Sequence, residues 1–378
     1  MMAQRKAKRS PVRKKATSKR ASSSSPKSKQ AKTRISKDPE KEYAKALTKK
    51  DMVRILKMTD DDCLMHVKDY LSTGNPALDR MLHGRGIPFG RLTEIFGPHH
   101  IGKSTILDHL FKMVQQVGGT GVLADTEEAR DISYTRAIGV DVDKLLILEF
   151  DRKQLTMENV LTKVLETIDW WRENYPERKV LIGWDSLGGT QTNEERDKSI
   201  DKGKSPGSAA SIMQLMRRKV TPALANTNIA LVILNHEYEK IAMGGFVGKK
   251  KETYGGEAVR MAASIRIELH PTKGQWLPDK KGVIVGRKIG AKLVKTKLGS
   301  GTGAECEMAL MHGHGLDSLW AVFEGLKGLG VIQVSGSWSA INLDGEILKF
   351  QGLNELQKLC AEDPTLEARM TKVYLGIR

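Results

Sequence analysis

Residues 97–104 read Gly97-Pro98-His99-His100-Ile101-Gly102-Lys103-Ser104, a complete G-x-x-x-x-G-K-[ST] phosphate loop. Such a loop constrains the fold on both sides, because it works only where a strand runs into it and a helix leaves it. Both flanks comply. Arg91-Leu92-Thr93-Glu94-Ile95-Phe96 reads as a short buried strand, and Thr105 to Met113 carries apolar residues at helical spacing. The glycines let backbone N–H groups curl around phosphate oxygens, and the positive end of the following helix adds to that field. Gly97 through Thr105 then form the phosphate cradle, with Lys103 reaching the terminal phosphates and Ser104 ligating Mg²⁺.

The segments around this loop alternate in type. Gly121 to Asp125, Leu145 to Leu148, Val180 to Asp185 and Ile229 to Leu234 read as strands. Met157 to Tyr175 and Ala209 to Leu224 read as helices, which predicts an α/β fold with a mostly parallel sheet covered on both faces. From Ser264 to about residue 300 the pattern is strand-rich. Residues 316–378 read as a small α+β module: helical Leu316–Leu329, a hairpin through Val331–Val334 and Ala340–Leu343, and helical Gly352–Glu362. Residues 38–70 read as a small helical segment.

The chain has 378 residues and a net charge of +17, but residues 1–37 hold fourteen Lys/Arg and no acid. The remainder has 48 basic residues against 45 acidic ones, so the basicity belongs to a tail. That tail has too few apolar residues to offset ordering entropy and is expected to be disordered, serving as a nucleic-acid arm, a targeting address or a solubilising extension. It lacks the apolar region of a secretory signal, and no run approaches the length of a membrane helix. Cys63, Cys306 and Cys360 have neither metal nor disulfide spacing, which fits a reducing, intracellular setting.

A phosphate loop that hydrolyses ATP needs a second acid for Mg²⁺. Asp185 ends an apolar strand at the expected place, although a helix-capping aspartate is the alternative. It also needs a group to orient water, and Glu127 and Glu128 follow the strand that ends at Asp125. Two long polar stretches, Gly188–Ser208 and Glu237–Gly256, read as functional loops. Lysines beside an apolar side chain suit a DNA or RNA strand, an incidental surface loop being the alternative. His99, His100 and His236 could approach one another, but their spacing is not that of metal ligands. His312-Gly313-His314 reads as a turn.

The chain resembles the RecA family of homologous-recombination ATPases from about Leu71 to about Pro364. The resemblance rests on Leu71-Ser72-Thr73-Gly74 with Leu78-Asp79, on Gly86 to Pro98, on Asp131-Ile132-Ser133-Tyr134 with Ile138-Gly139-Val140-Asp141, and on Thr253 to Ala258 with Ala263-Ser264-Ile265-Arg266. It implies a RecA-type P-loop ATPase core over 71–315, a polymerisation segment over 38–70 and the family's small C-terminal domain over 316–378. It also implies roles. Glu127 matches the water-orienting glutamate, Asp185 the Mg²⁺-associated aspartate, and Tyr134, with Asp131, the adenine position. Lys295 and Lys297 match lysines that reach ATP across a subunit interface. DNA contacts fall to Arg196, Lys198, Lys202 and Lys204 in the first loop and to Met243, Phe246, Lys249, Lys250 and Lys251 in the second.

Departures accompany the match. His236 stands where bacterial RecA has a γ-phosphate-sensing glutamine, which predicts pH-sensitive coupling, and His99 replaces an acidic residue. The basic arm replaces an acidic C-terminal tail, a pattern more like a divergent, phage-type recombinase. The expected activity is an ATP- and Mg²⁺-dependent recombinase that forms filaments on single-stranded DNA, pairs it with double-stranded DNA and works in recombination and repair. Single-strand-binding protein and mediators are expected partners. The expected location is the cytoplasm, nucleoid-associated or in an infected host. A RecA-like hexameric helicase and a non-hydrolysing DNA-coating paralogue are the alternatives.

Overall fold

Strand β1 (Tyr70–Leu71) pairs antiparallel with β2 (Ile87–Pro88) in the structure, a computed structural model that describes residues 57–60, 63–197, 208–240, 250–279 and 281–376. Between them lies helix α1 (Pro76–Met81). Its start is fixed by Asn75, whose side chain accepts the N–H groups of Ala77 and Leu78, with proline at the first helical position.

The chain then runs β3 (Leu92–Gly97), α2 (Lys103–Gln116), β4 (Thr120–Asp125), α3 (Ile132–Ile138), β5 (Leu146–Ile147), α4 (Met157–Asn174) and β6 (Val180–Asp185). Next come α5 (Asn193–Asp197), α6 (Ser208–Leu224), β7 (Ile229–Lys240), β8 (Lys250–Thr253), α7 (Gly256–Ala262), β9 (Ile265–Pro278), β10 (Ile284–Thr296), β11 (Glu305–Met311) and β12 (Gly315–Leu316). The large sheet has the order β12-β11-β10-β9-β3-β7-β6-β4-β5, with β8 paired to β7. From β9 to β5 the neighbours are parallel, and β9 to β12 are antiparallel.

The apolar runs of the central strands are buried on both faces, as a parallel sheet requires. In β7, Ala230, Val232 and Leu234 pack toward α2, with Ile106, Leu107, Leu110, Phe111 and Val114. Ile229, Leu231 and Ile233 face the other way, toward Val160, Val164 and Ile168 of α4 and Met213, Met216 and Val220 of α6. The period-2 alternation of the strand therefore feeds two separate apolar layers.

A third cluster is built from α8 (Ser318–Gly328), the three-stranded sheet β13 (Gln333–Ser335), β14 (Trp338–Leu343) and β15 (Glu346–Phe350), α9 (Gly352–Glu362) and α10 (Leu366–Leu375). Val322, Leu326, Ile341, Phe350, Leu356 and Met370 fill it, and Ala77 of α1 joins them.

Several expectations change. The two polar stretches are not simple loops: the first contains α5 and runs into α6, and the second is partly a hairpin in which β7 continues to Lys240 and pairs with β8. Leu316 does not begin the helix, because β12 pairs it with Leu310 of the large sheet. Of the segment 38–70, residues 57–60 and 63–70 hold turns and the first residue of β1, and the rest lies outside the described residues. So do the tail 1–37, Lys198, Lys202, Lys204, Met243, Phe246 and Lys249.

One polar cluster crosses the apolar sheet. Glu94 of β3 is fully buried and accepts Asn235 Nδ2 of β7 at 2.8 Å and Arg266 Nε of β9 at 2.5 Å. Arg266 also lies over the Phe96 ring, 4.5 Å from its centroid. A charge so placed is tolerable only while its partner remains. Arg266→Met is therefore expected to lower the unfolding free energy by about 3–5 kcal/mol in urea denaturation. A loss below about 1 kcal/mol, the range of an exposed pair, would show that Arg266 does not hold Glu94.

Candidate nucleotide-binding site

The phosphate loop leaves the carboxyl end of β3 and enters α2. Gly102 takes φ 105°, a left-handed conformation, and a Cβ there would meet Leu310 Cδ2 at 2.9 Å. Gly97 packs against the Leu269 carbonyl so closely that no side chain fits. The buried Lys103 ammonium donates to the carbonyls of Gly97 at 3.2 Å and Pro98 at 2.7 Å, and burial lowers its pKa. The cleft around the loop has a volume of about 610 Å³, within the range of small-molecule sites. His99, His100, Gly102, Lys103, Ser104, Thr105, Glu127, Tyr134, Asp185 and His236 all line it.

Parallel pairing brings the distant groups here. Gly97 lies beside His236 across β3 and β7, and Asp125 beside Asp185 across β4 and β6. Glu127, just past β4, accepts hydrogen bonds through Oε1 from the Ser186 hydroxyl and from His236 Nε2 at 2.8 Å. The His236 bond is the main reason that the Glu127 carboxyl titrates at about 2, with the Ser186 bond adding to it against the opposing effect of burial. The His99 ring stacks on His236, with centroids 4.1 Å apart and planes 19° apart, and His236 chiefly lowers the His99 pKa. Among the described residues, no three or more His, Cys, Asp or Glu are grouped so that they could hold a metal ion.

Asp185 is buried and lines the cleft together with Ser104; burial is the main cause that raises its pKa, with Arg130 and Ser104 acting against it. A serine hydroxyl and a carboxylate beside a phosphate cradle form a hard-oxygen donor set, which suits Mg²⁺ completed by phosphate and water oxygens. Tyr134, on α3, places its hydroxyl 3.3 Å from Thr105 Oγ1. Asp131 does not line the cleft; it caps α3 by accepting the N–H groups of Ser133 and Tyr134. Gly97, Pro98 and Ile101 also lie off the cleft wall, the first two accepting Lys103 through their carbonyls and Ile101 turning into the apolar core.

Lys295 and Lys297 sit at the far end of the sheet. Thr296 pairs with Ile265, which lies beside Thr93 at the start of β3, so these lysines stand opposite their own phosphate loop. Lys295 donates to the Arg260 carbonyl, and Lys297 to that of Met261 at 2.7 Å. Burial, with Lys297 and Arg266 nearby, pushes Lys295 down to about 8. Arg196 is held by Asp197 at 2.8 Å and by the Lys153 carbonyl at 2.7 Å. Lys250 and Lys251 pair through their backbone with Lys240 and Glu239.

Sequence reasoning missed four groups. Trp276, Arg287 and His312 line the cleft from the antiparallel half of the sheet, and Arg287 donates to the His100 carbonyl. Arg130 bonds Asp185 and Asp108. The lone acid within Ile106-Leu107-Asp108-His109-Leu110-Phe111 was an available signal for the last of these.

Because the folded pKa of Glu127 is depressed, its bonds stabilise the protein above the ordinary glutamate pKa of ~4.3, and that contribution fades as pH falls toward about 2. In His236→Phe the carboxyl should titrate higher, nearer the ordinary value. Carboxyl ¹³C NMR of labelled glutamate checks this, and an unmoved titration in the variant would assign the shift elsewhere.

The family model described as the RecA N-terminal domain matches residues 41–317. The chain is 30% identical over 313 residues to the protein RecA of Chlorobaculum tepidum, spanning 82% of this chain and 84% of that one. It is 32% identical over 300 residues to the protein RecA of Thermus aquaticus, spanning 79% and 82%. With the protein RecA of Caulobacter vibrioides it shares 30% over 304 residues, spanning 80% and 79%. A match over this much of the sequence, on a phosphate loop and sheet so arranged, means that the chain belongs to the RecA family.

Proposed function

We propose that the protein is an ATP-dependent DNA recombinase that polymerises on single-stranded DNA and pairs it with a homologous duplex. The observation that carries this reading is the path from the cleft to the second polar stretch. His236, bonded to Glu127, is followed in β7 by the residues that pair with β8, and Asn235 beside it donates to the Tyr254 carbonyl at 2.8 Å. A change at the phosphate end of β7 is thereby communicated to the hairpin that the family resemblance assigns to DNA.

In this reading ATP lies along the phosphate loop, with its base toward Tyr134. Ser104 and Asp185 hold Mg²⁺, which when bound neutralises phosphate charge. Lys103 turns from the Gly97 and Pro98 carbonyls to the terminal phosphates. Glu127, kept ionised by His236 and Ser186, orients and accepts a proton from the attacking water. Lys295 and Lys297 reach the nucleotide of a neighbouring subunit, so hydrolysis requires assembly. Arg196, Lys250 and Lys251 belong to the DNA-facing stretches, with Lys198, Lys202, Lys204, Met243, Phe246 and Lys249 assigned by resemblance alone. Single-strand-binding protein and mediators are proposed partners.

Single-stranded DNA should stimulate ATP hydrolysis, and Lys103→Ala should lower the stimulated rate by about 10²–10³, as loss of a transition-state charge contact does. Hydrolysis indifferent to DNA in the wild type would overturn the recombinase reading. Deleting residues 1–37 should weaken duplex binding and flatten its log–log salt dependence by about 0.9 per lost phosphate contact. Binding isotherms at several salt concentrations test this, and an unchanged slope removes the arm from DNA capture.

A further inference from the structure

A charge cluster joins Asp185 to two residues with no role in the reading above, one of them on the helix that follows the phosphate loop. Asp108 projects from α2 within an otherwise apolar stretch, and its side chain is 3% exposed. Arg130 follows Glu127 in the connection from β4 to α3 and is 13% exposed; the Asp185 side chain is 9% exposed. The guanidinium spans the two acids. Nη1 bonds Asp108 Oδ1, and Nη2 bonds Asp185 Oδ2 at 2.8 Å. The Thr135 hydroxyl holds the other Asp108 oxygen at 3.1 Å, while Arg130 Nε is buried without a partner. An arginine keeps its charge in such a place and presents its donors in a rigid planar fork, so the contact fixes direction as well as charge.

This arrangement has two consequences at Asp185. Its Oδ2 is bound by an internal cation at 2.8 Å while the side chain is almost fully buried, so the carboxylate is held in one orientation. A divalent cation near the same carboxylate is repelled by the guanidinium. Asp108 gives Arg130 a second anion, so the guanidinium stays in place when its hold on Asp185 loosens. Because Arg130 closely follows Glu127, the same bond also ties the Glu127 loop to β6.

We propose that Arg130, anchored by Asp108, is a positioning residue that aims Asp185 and sets how tightly the site holds the divalent cation of a bound nucleotide. The inference rests on the cleft being a Mg²⁺–nucleotide site. Removing the pair should strengthen the hold on the cation while leaving the nucleotide's other contacts in place.

The test is Mg²⁺ titration of the binding of a fluorescent ADP analogue to the full-length protein, with no turnover involved. In the double variant D108L/R130L, which replaces the ion pair with an apolar one, half-saturating Mg²⁺ should fall about two- to fivefold: the lost guanidinium bonds Asp185 directly, the lost Asp108 carboxylate offsets part of its effect, and one unopposed unit charge at ~4 Å screened as in bulk water sets the upper bound. R130K keeps the charge but loses the fork and should fall between. Thermal unfolding without nucleotide checks that each variant is folded, and D108N/R130Q, close to the native shapes, serves if the leucine pair does not fold. Folded double variants with an unshifted Mg²⁺ midpoint would overturn the inference, leaving Arg130 a packing element only. A wild type that binds the analogue with no dependence on Mg²⁺ would overturn the nucleotide-site reading, and this inference with it.

Discussion

The parallel register of four neighbouring strands is the constraint on which the rest depends. Gly97 lies beside His236, and Asp125 beside Asp185, so the carboxyl ends of β3, β6 and β4 gather beside His236, from which β7 runs on to Lys240. Each end contributes a different chemical group: a phosphate loop, an imidazole, a buried carboxylate with its neighbouring serine, and a glutamate one step beyond the strand. The chain leaves β3 through the loop and α2 and returns in β4, three positions along the sheet, with the two intervening strands β7 and β6 filled in later. That gap in the winding opens a crevice above the sheet, where ligands of open α/β sheets bind. A slip of one residue between β3 and β7 would exchange the faces of every side chain on a strand buried on both sides. The two apolar layers therefore fix the site as firmly as they fix the fold.

What could be read from the sequence was what is local. The phosphate loop declares its own flanks, and Asp185 and Glu127 stand at the ends of apolar strand patterns. β7 looked shorter than it is because its apolar run stops at Leu234, while the continuing strand is polar and held by β8. Helix α5 hid in a polar stretch, yet Thr192-Asn193-Glu194-Glu195 is a capping box. Thr192 Oγ1 accepts the Glu195 N–H at 3.1 Å, and the Glu195 carboxylate accepts the Thr192 N–H at 2.8 Å. The antiparallel half of the sheet gave only a strand-rich pattern, so Trp276 and Arg287 could not be aimed at the cleft. Arg130 and Asp108 escaped for a plainer reason: a lone acid in an apolar run signals a buried partner, but nothing in the spacing names Arg130, from the loop after β4, as that partner.

Buried polar groups give the sheet its order of parts. Glu94, Asn235 and Arg266 lie on adjacent strands, and Arg266 continues to Thr253 Oγ1 at 3.3 Å, at the end of β8. Such a network is costly unless every member is satisfied, and each bond specifies a register that apolar packing alone would leave looser. The same residues border both functional regions, since Asn235 precedes His236 and Thr253 precedes the close of the second polar stretch. Displacement of His236 must therefore strain the Asn235 bonds or be passed along β7 to the hairpin.

Arg266 also faces the opposite end of the molecule's chemistry. It pairs in register with Lys295, and Lys297 lies close by. Lys295 is pushed to about 8 by burial and by these like charges, which means that the isolated chain holds a positive cluster at some electrostatic cost. An anion arriving there would relieve that cost and restore the full charge of Lys295. The anion cannot be a phosphate in the chain's own cleft, because the register puts these lysines at the other end of the strands. In the proposed reading it is the nucleotide held by a second copy of this chain. On that proposal, charge repulsion within one subunit favours the stacking of subunits around bound nucleotide, and assembly and hydrolysis are coupled through it.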